Sequence, residues 1–481
     1  MPQTIRKERG IEEIMKEEGN GGFLCILKIY QPGLSLRISE MRTSLLAKIW
    51  FFLSVAVLGV AYGILASERG WFPSSLAKNA WKQGHVVLPI SDLPFLNERV
   101  YERRGVRISR KGEMQPGLTS ITSSWKTSDG WKVGLKLIGK RGTVYHEWLL
   151  DRSELFGSGL GYRKNPKQTD LQGTYLFSNG DVLVNLEYVG MARINACGRV
   201  LWTLAEGTHH SVARASDGTF WTPGVSQGTR RGSERFREGF PGLGEELWVD
   251  RILQVRPDGT LLRDINVLDV LYANGLEYLF FKHRVLNGDV THMNDIEPLR
   301  ESMAKEYPLF ERGDLLVSLR YLNLVFVMDP ETENVRWYAT GPFIAQHDPD
   351  FIGDGWIGIF DNNRDYNGGT VLGGSRIVAV RPQDGRTEVR FPKEQSDPFY
   401  TRLRGKWQQL ENGNLLLTES QSGRVVEVNP DGETVWEWVH QPYDDSRVPA
   451  VTKAQRYPLA SSNVASWPCT SVDSVRTSKR R

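Results

Sequence analysis

Residues 412–438 read NGNLLLTESQSGRVVEVNPDGETVWEW: an Asn-Gly-Asn turn, a hydrophobic strand, and a later strand that ends at tryptophan. Glycine and Asn/Asp suit such hairpin turns because they tolerate the positive φ angles the turns require. The same unit recurs upstream, with first turns at Ser128-Asp129-Gly130, Asn179-Gly180-Asp181, Asp217-Gly218, Arg312-Gly313-Asp314 and Asp354-Gly355. The second halves carry Trp148, Trp202, an Asp258-Gly259 turn, Trp337, an Asp384-Gly385 turn and Trp436. Six such units between about Ile121 and His440 predict stacked four-stranded sheets. Stacked units must bury both faces, and a closed ring leaves only short edges exposed. The fold expected is all-β, a six-bladed β-propeller over residues 119–443. A solenoid or a pair of sandwiches is the alternative, and the period is too long for a β-helix.

The 481 residues have the hydrophobic and charged fractions of an ordinary globular protein. A net charge of +3, without a Lys/Arg block interleaved with aromatics, gives no reason to expect a nucleic-acid partner. Cys25, Cys197 and Cys469 lie far apart, with no CxxC, and predict neither a disulfide framework nor a thiolate metal site. Residues 49–66 (IWFFLSVAVLGVAYGILA) hold no charge and sit at the lower limit for a membrane-spanning helix. Lys28, Arg37, Arg42 and Lys48 precede them, so the positive-inside rule leaves residues 1–48 cytoplasmic and exports the rest to the periplasmic side. Ile64 is a poor small-residue position for cleavage after Ala66, which favours a retained single-pass anchor. Met41, followed by Arg42 and the apolar run, is the expected true start, with 1–40 an over-extension. Residues 67–118 read as a polar connection and 444–481 as a tail whose Ser-rich end is disordered.

Chemistry-bearing side chains collect at strand edges from His292 to Asn363. His210 lies eight residues before Gly218, and His347 eight before Gly355, so both fall at the entry to an inner strand. His292 stands at the same entry in the fourth unit, and Arg320 follows the run Leu315-Leu316-Val317. Three blades thus bring imidazoles to one end of the channel with a guanidinium nearby. His85, His146, His283 and His440 lack the repeat context and read as structural. Arg364 and Arg404 read as surface or inter-blade charges, and the unit-end tryptophans as packing between blades. Insertions at 222–246 and 300–309 are expected as loops over one face, shaping the substrate pocket.

Thr208-His209-His210-Ser-Val, His292-Met-Asn294, Ser-Leu-Arg320, Gln346-His347-Asp, Phe-Asp361-Asn362 and the closing segment 412–438 together resemble the bacterial arylsulfotransferases, over about residues 170–460. The resemblance implies an exported six-bladed propeller that moves a sulfuryl group from an aryl sulfate to a phenol, by a ping-pong route through a sulfohistidine. It implies no sulfonucleotide donor, and no P-loop glycine run is present. It makes His347 the nucleophile, places His292, Asn294 and Arg320 around the sulfuryl oxygens, and puts one of His209 and His210 in the pocket, the turn count favouring His210. Asn362 is expected to support the site or bind substrate, and Asp348 to set a tautomer if it points toward His347. The close-spaced cysteine pair of the family's best-studied type is missing.

These residue types suit the chemistry. Sulfuryl transfer passes through a loose, planar group with charge spread over three oxygens, as in phosphoryl transfer. Arg320 supplies a permanent forked donor and Asn294 a neutral one. A neutral imidazole attacks sulfur and later leaves, and a second imidazole moves the phenolic proton. No cofactor and no metal is expected. The competing readings are a non-enzymatic envelope scaffold, a quinone-dependent dehydrogenase, for which neither enough blades nor a metal-carboxylate cluster is found, and a metal site on the three histidines.

Overall fold

The computed structural model describes residues 45–69 and 95–469, apart from 109, 111, 129, 152–154, 157–162, 164–168, 283–287 and 366. The expected start at Met41, the cytoplasmic stretch before residue 45, His85, His283 and the chain end after 469 lie outside the described residues. Two compact units are present, Met1–Ser91 and Asp92–Arg481. In the first, Leu45–Arg69 forms one 25-residue helix. Its described side chains, 49–65, are all exposed. Among the described residues no helix is long and apolar enough to cross a membrane.

The second unit is the six-bladed propeller. Blades two to six follow the chain, each built from four consecutive antiparallel strands: 171–204, 213–266, 293–339, 347–391 and 406–439. The innermost strands are Leu171–Leu176, Ala213–Arg214, Met293–Pro298, His347–Phe351 and Lys406–Gln409. In these blades the Asn/Asp/Arg-Gly turns join the first and second strands, as the repeat predicts.

Blade one is built differently. Its second, third and fourth strands are Leu118–Thr127, Gly130–Ile138 and Val144–Leu150, and its innermost strand is Val451–Tyr457, from the far end of the chain. The ring is therefore closed by residues the sequence reading had assigned to a tail, and the propeller runs to Tyr457 rather than ending at 443. The connection expected at 67–118 is also structured in its described part. Leu96–Glu98 pairs with Arg447–Pro449, and Gly105–Ile108 adds a fifth strand to the outer edge of blade six.

A hydrophobic cluster fills each interface between neighbouring blades. The unit-end tryptophans serve these interfaces. Trp148 donates to Gly180 O of blade two, Trp202 to Pro257 O of blade three, and Trp436 to Lys140 O of blade one. The two structural histidines that are described behave as expected. His146 packs on Trp148 and Trp467, and His440 on Trp125 and Trp438.

The segment after Pro458 is ordered as far as it is described. Ser461–Ala465 is helical, Trp467 packs beside Trp148, and Cys469 forms a disulfide with Cys197, 272 residues away. The sequence offered no cue to this pairing. Nothing local marks the pair, because only ring closure returns the C-terminal segment to blade two. Linking so long a loop restricts the unfolded chain, and removing the link costs about 2–4 kcal/mol. Cys197→Ser/Cys469→Ser should melt several degrees below the wild type, and a reductant should lower the wild-type midpoint to match. Equal midpoints with and without reductant would show that the bridge adds nothing.

Candidate active site

The chain enters every inner strand on the same face of the ring, and the links between second and third strands emerge there too. His210, His292 and His347 stand at three consecutive entries, to blades three, four and five. The backbone there departs from regular strand. His210 and His292 share left-handed φ values of 55° and 49°, while in blade five that conformation falls one residue later, at Asp348 (47°). Non-glycine residues adopt it rarely, and it clusters at functional sites. The strand pairing of blades four and five shifts by one residue between Met293 and Asp295 and again between His347 and Asp350. Such bulges re-aim side chains.

The result is a compact imidazole group. The His210 ring lies 5.5 Å from His292 and 6.5 Å from His347, centroid to centroid. His347 Nδ1 is 2.6 Å from Asn362 Oδ1. The Asn362 amide nitrogen donates to Thr401 O and Arg404 O, so its oxygen has to face His347 and accept. His347 therefore carries its proton on Nδ1 and keeps the Nε2 lone pair. Asn362, rather than Asp348, sets this tautomer. Asp348 is held instead by Lys406 Nζ and by Trp407 N. His292 Nδ1 lies 2.7 Å from Asp289 Oδ2, and its ring stacks on Tyr321 at 4.5 Å. Burial pulls His210 and His347 well below the ordinary imidazole range, and the Arg320 charge adds to this at His347. Burial lowers His292 too, against the pull of Asp289. All three are neutral at neutral pH.

Arg320 projects from the end of the second strand of blade four. It is buried, and among the described residues its Nε and Nη2 have no hydrogen-bond partner. Burial lowers its proton affinity, and the neighbouring Arg364 adds repulsion. Arg364 is half-buried and has no carboxylate partner among the described residues, so of the two alternatives expected it is not the inter-blade salt bridge. Arg404 does form one, 3.0 Å from Asp170 across the same face.

Two expectations need adjustment. The amide nitrogen of Asn294 gives one of its two hydrogens to Gln346 O at 2.7 Å, so besides its expected place in the pocket it braces the segment that carries His347. Of the insertions, only 222–246 lies on this face. Residues 300–309 link the first and second strands of blade four, on the opposite face, and do not shape this pocket. His209 is fully buried behind His210, while His210 faces the other two imidazoles.

Sequence reasoning missed Tyr188, Asp250, Asp289, Tyr321 and Lys406. Asp289 was within reach, three residues before His292. Lys406 opens the sixth inner strand as His347 opens the fifth, but it is not a histidine and was passed over. Burial opposes its charge, yet Asp295 and Asp348 hold it protonated, and the three close the channel beneath the site. Tyr188 carries no sequence signal. Among the described residues no group of three His, Cys, Asp or Glu side chains is placed to hold a metal ion.

The family model described as arylsulfotransferase (ASST) matches residues 173–441, which is blades two to six with the whole imidazole group. The chain belongs to the arylsulfotransferase family. Blade one, whose innermost strand is drawn from the C-terminal segment, falls outside the match. No curated protein matches the arylsulfotransferase chain. Solved structures it is similar to include a Bacteroides caccae protein of unknown function (13% identity, 67% of this chain and 94% of that one, TM-score 0.44). A streptogramin B lyase (12%, 76% and 98%, 0.36) and TolB from Acinetobacter baumannii (8%, 70% and 65%, 0.37) are further examples.

Proposed function

We propose that this arylsulfotransferase is an arylsulfate sulfotransferase that works by a ping-pong route through sulfated His347. The observation that carries the reading is the buried Arg320 guanidinium, with two nitrogens unpartnered beside three neutral imidazoles. A desolvated cation with free donors calls for an anion. The family implies an aryl sulfate as that anion and a phenol as acceptor.

In the first half-reaction the His347 Nε2 lone pair attacks sulfur. The bond from sulfur to the aryl oxygen breaks, and its electron pair leaves with the phenolate; His292 or His210, neutral at rest, takes up a proton from solvent as the anionic donor binds and passes it to that phenolate. In the second, that imidazole removes the proton of the incoming phenol, whose oxygen attacks sulfur. The N–S pair then returns to His347. Asn362 keeps the proton on Nδ1 throughout, so the sulfated ring stays cationic and leaves readily. Arg320 balances the oxygens in a water-poor pocket, where fixed donors are worth most.

The same reading makes the chain a single-pass membrane protein with the propeller on the periplasmic side. The uncharged run 49–66 in the sequence supports this, as does the Cys197–Cys469 disulfide, since such bonds persist in oxidising compartments. Brief mixing with an aryl sulfate in the absence of acceptor should add one acid-labile sulfuryl group to the His347 peptide, and a phenol should remove it. A folded protein that gains no adduct from a panel of aryl sulfates would overturn the assignment.

A further inference from the structure

His210 has no carboxylate of its own, whereas His292 has Asp289. Behind His210, however, His209 leads toward one. His210 Nδ1 lies 2.8 Å from His209 Nδ1, and His209 Nε2 lies 3.6 Å from Asp250 Oδ1. His209 and Asp250 are both buried. The His209 ring is clamped against Tyr188 at 4.4 Å. Its backbone is fixed by Pro223 O and by the Asn185 amide. Among the described residues His209 Nε2 makes no hydrogen bond, and the Asp250 carboxylate at 3.6 Å lies just beyond that distance.

We propose that Asp250 and His209 form a relay that positions His210 and sets its tautomer, which makes His210 a carboxylate-supported base facing His347. The inference rests on the sulfotransferase reading for its catalytic consequence but not for its geometry. A lone pair on Nε2 would be repelled by the carboxylate, so the His209 proton sits there. His209 Nδ1 is then an acceptor, and the short nitrogen–nitrogen contact requires His210 Nδ1 to donate. His210 is left with its Nε2 lone pair for the pocket. When it gains a proton, the Asp250 charge is felt through the His209 ring.

Asp250 has a second task. Its other oxygen accepts from Thr291 Oγ1 and Met293 N, both at 2.6 Å, the residues on either side of His292. One buried carboxylate therefore fixes the two supporting imidazoles relative to each other. His209, the less favoured of the pair that the resemblance puts in the pocket, is a positioning residue.

The groups facing His210 are His209, His292, His347 and Lys406, all of which disfavour its charged form beyond the effect of burial, with Tyr188 in ring contact. Asp250 reaches it only through His209. As a base His210 must be neutral, so activity falls on the acid side of its pKa. Asp250→Asn removes the supporting charge, lowers that pKa and moves the acid limb to lower pH.

The test uses the full-length protein in detergent, labelled with ¹⁵N in histidine only, with His209→Gln and His210→Gln for assignment. The expected spectrum has His209 protonated at Nε2 and His210 at Nδ1, with the His210 preference relaxed in Asp250→Asn. A neutral His209 protonated at Nδ1 would overturn the relay. In kinetics, His209→Phe should slow transfer to a phenol about 10²-fold, the size of a lost base contribution, with the acid limb displaced, and His209→Gln should recover part of it. An equal loss at every pH, with no displacement in either variant, would mean that His209 only fills space. Absence of a sulfohistidine in the wild type would sink the sulfotransferase reading while the tautomer result still stood.

Discussion

His347→Gln should remove the sulfohistidine and all measurable turnover together, a loss of at least about 10⁴-fold for a covalent nucleophile. The fold should survive, because the glutamine side chain can still donate to Asn362 Oδ1 in place of Nδ1–H. His292→Gln should behave differently. It leaves the nucleophile in place and takes away a proton carrier, so a donor whose phenolate needs no proton to leave should still sulfate His347. Comparing 4-nitrophenyl sulfate with a donor of a more basic phenol separates the two roles. With His347→Gln neither donor should give an adduct; with His292→Gln the activated donor should give one at near wild-type yield. An adduct that persisted in His347→Gln would move the nucleophile to His210 or His292, whose Nε2 atoms face the same space. Adduct mapping and rates on both donors decide this without reference to stability, provided each variant melts as a single cooperative unit.

How much of this was legible beforehand depends on how local each signal is. The blade repeat was legible because Asn179-Gly180, Asp217-Gly218 and Asn412-Gly413 are hairpin turns that a few adjacent residues specify. The histidines were legible because their spacing to those turns repeats. Ring closure was not, since Val451–Tyr457 completes a sheet whose other strands begin at Leu118, and no local pattern announces a partner more than 300 residues away. The disulfide was hidden for the same reason. The supporting groups were invisible for another. Asp250 opens the third strand of blade three and Tyr188 lies in the link between the second and third strands of blade two, so neither stands at a counted distance from an inner-strand entry. A turn count places a residue along a strand but does not tell which neighbour its side chain touches. That is why Asn294 was expected to face substrate and is found to brace Gln346 as well.

Arg320→Met should have opposite effects on activity and on stability, and the opposition is what makes it decisive. Arg320 is held without partners for Nε and Nη2 in a buried site, and each unsatisfied group costs about 1–3 kcal/mol. Among the described residues no carboxylate pairs with it, and Asp289 exerts only a weak longer-range pull. Arg364 nearby adds repulsion, and burial already weakens the guanidinium's hold on its proton. Methionine has a similar length, keeps the backbone bond from residue 320 to His292 O, and leaves nothing polar unsatisfied. The variant should therefore melt about 2 °C or more above the wild type, while losing roughly 10²–10³-fold in turnover, as when a fixed donor to a transition-state oxyanion is removed. Inorganic sulfate provides the control. It should raise the wild-type midpoint by supplying the missing acceptor and leave Arg320→Met unmoved. If Arg320→Met instead melted lower, and sulfate moved neither protein, the guanidinium would be a structural contact and the anion would have to bind elsewhere. A gain in stability bought at the expense of turnover is the signature of a side chain kept for its chemistry: a fold selected for stability alone would have no reason to hold an unpaired charge in its core.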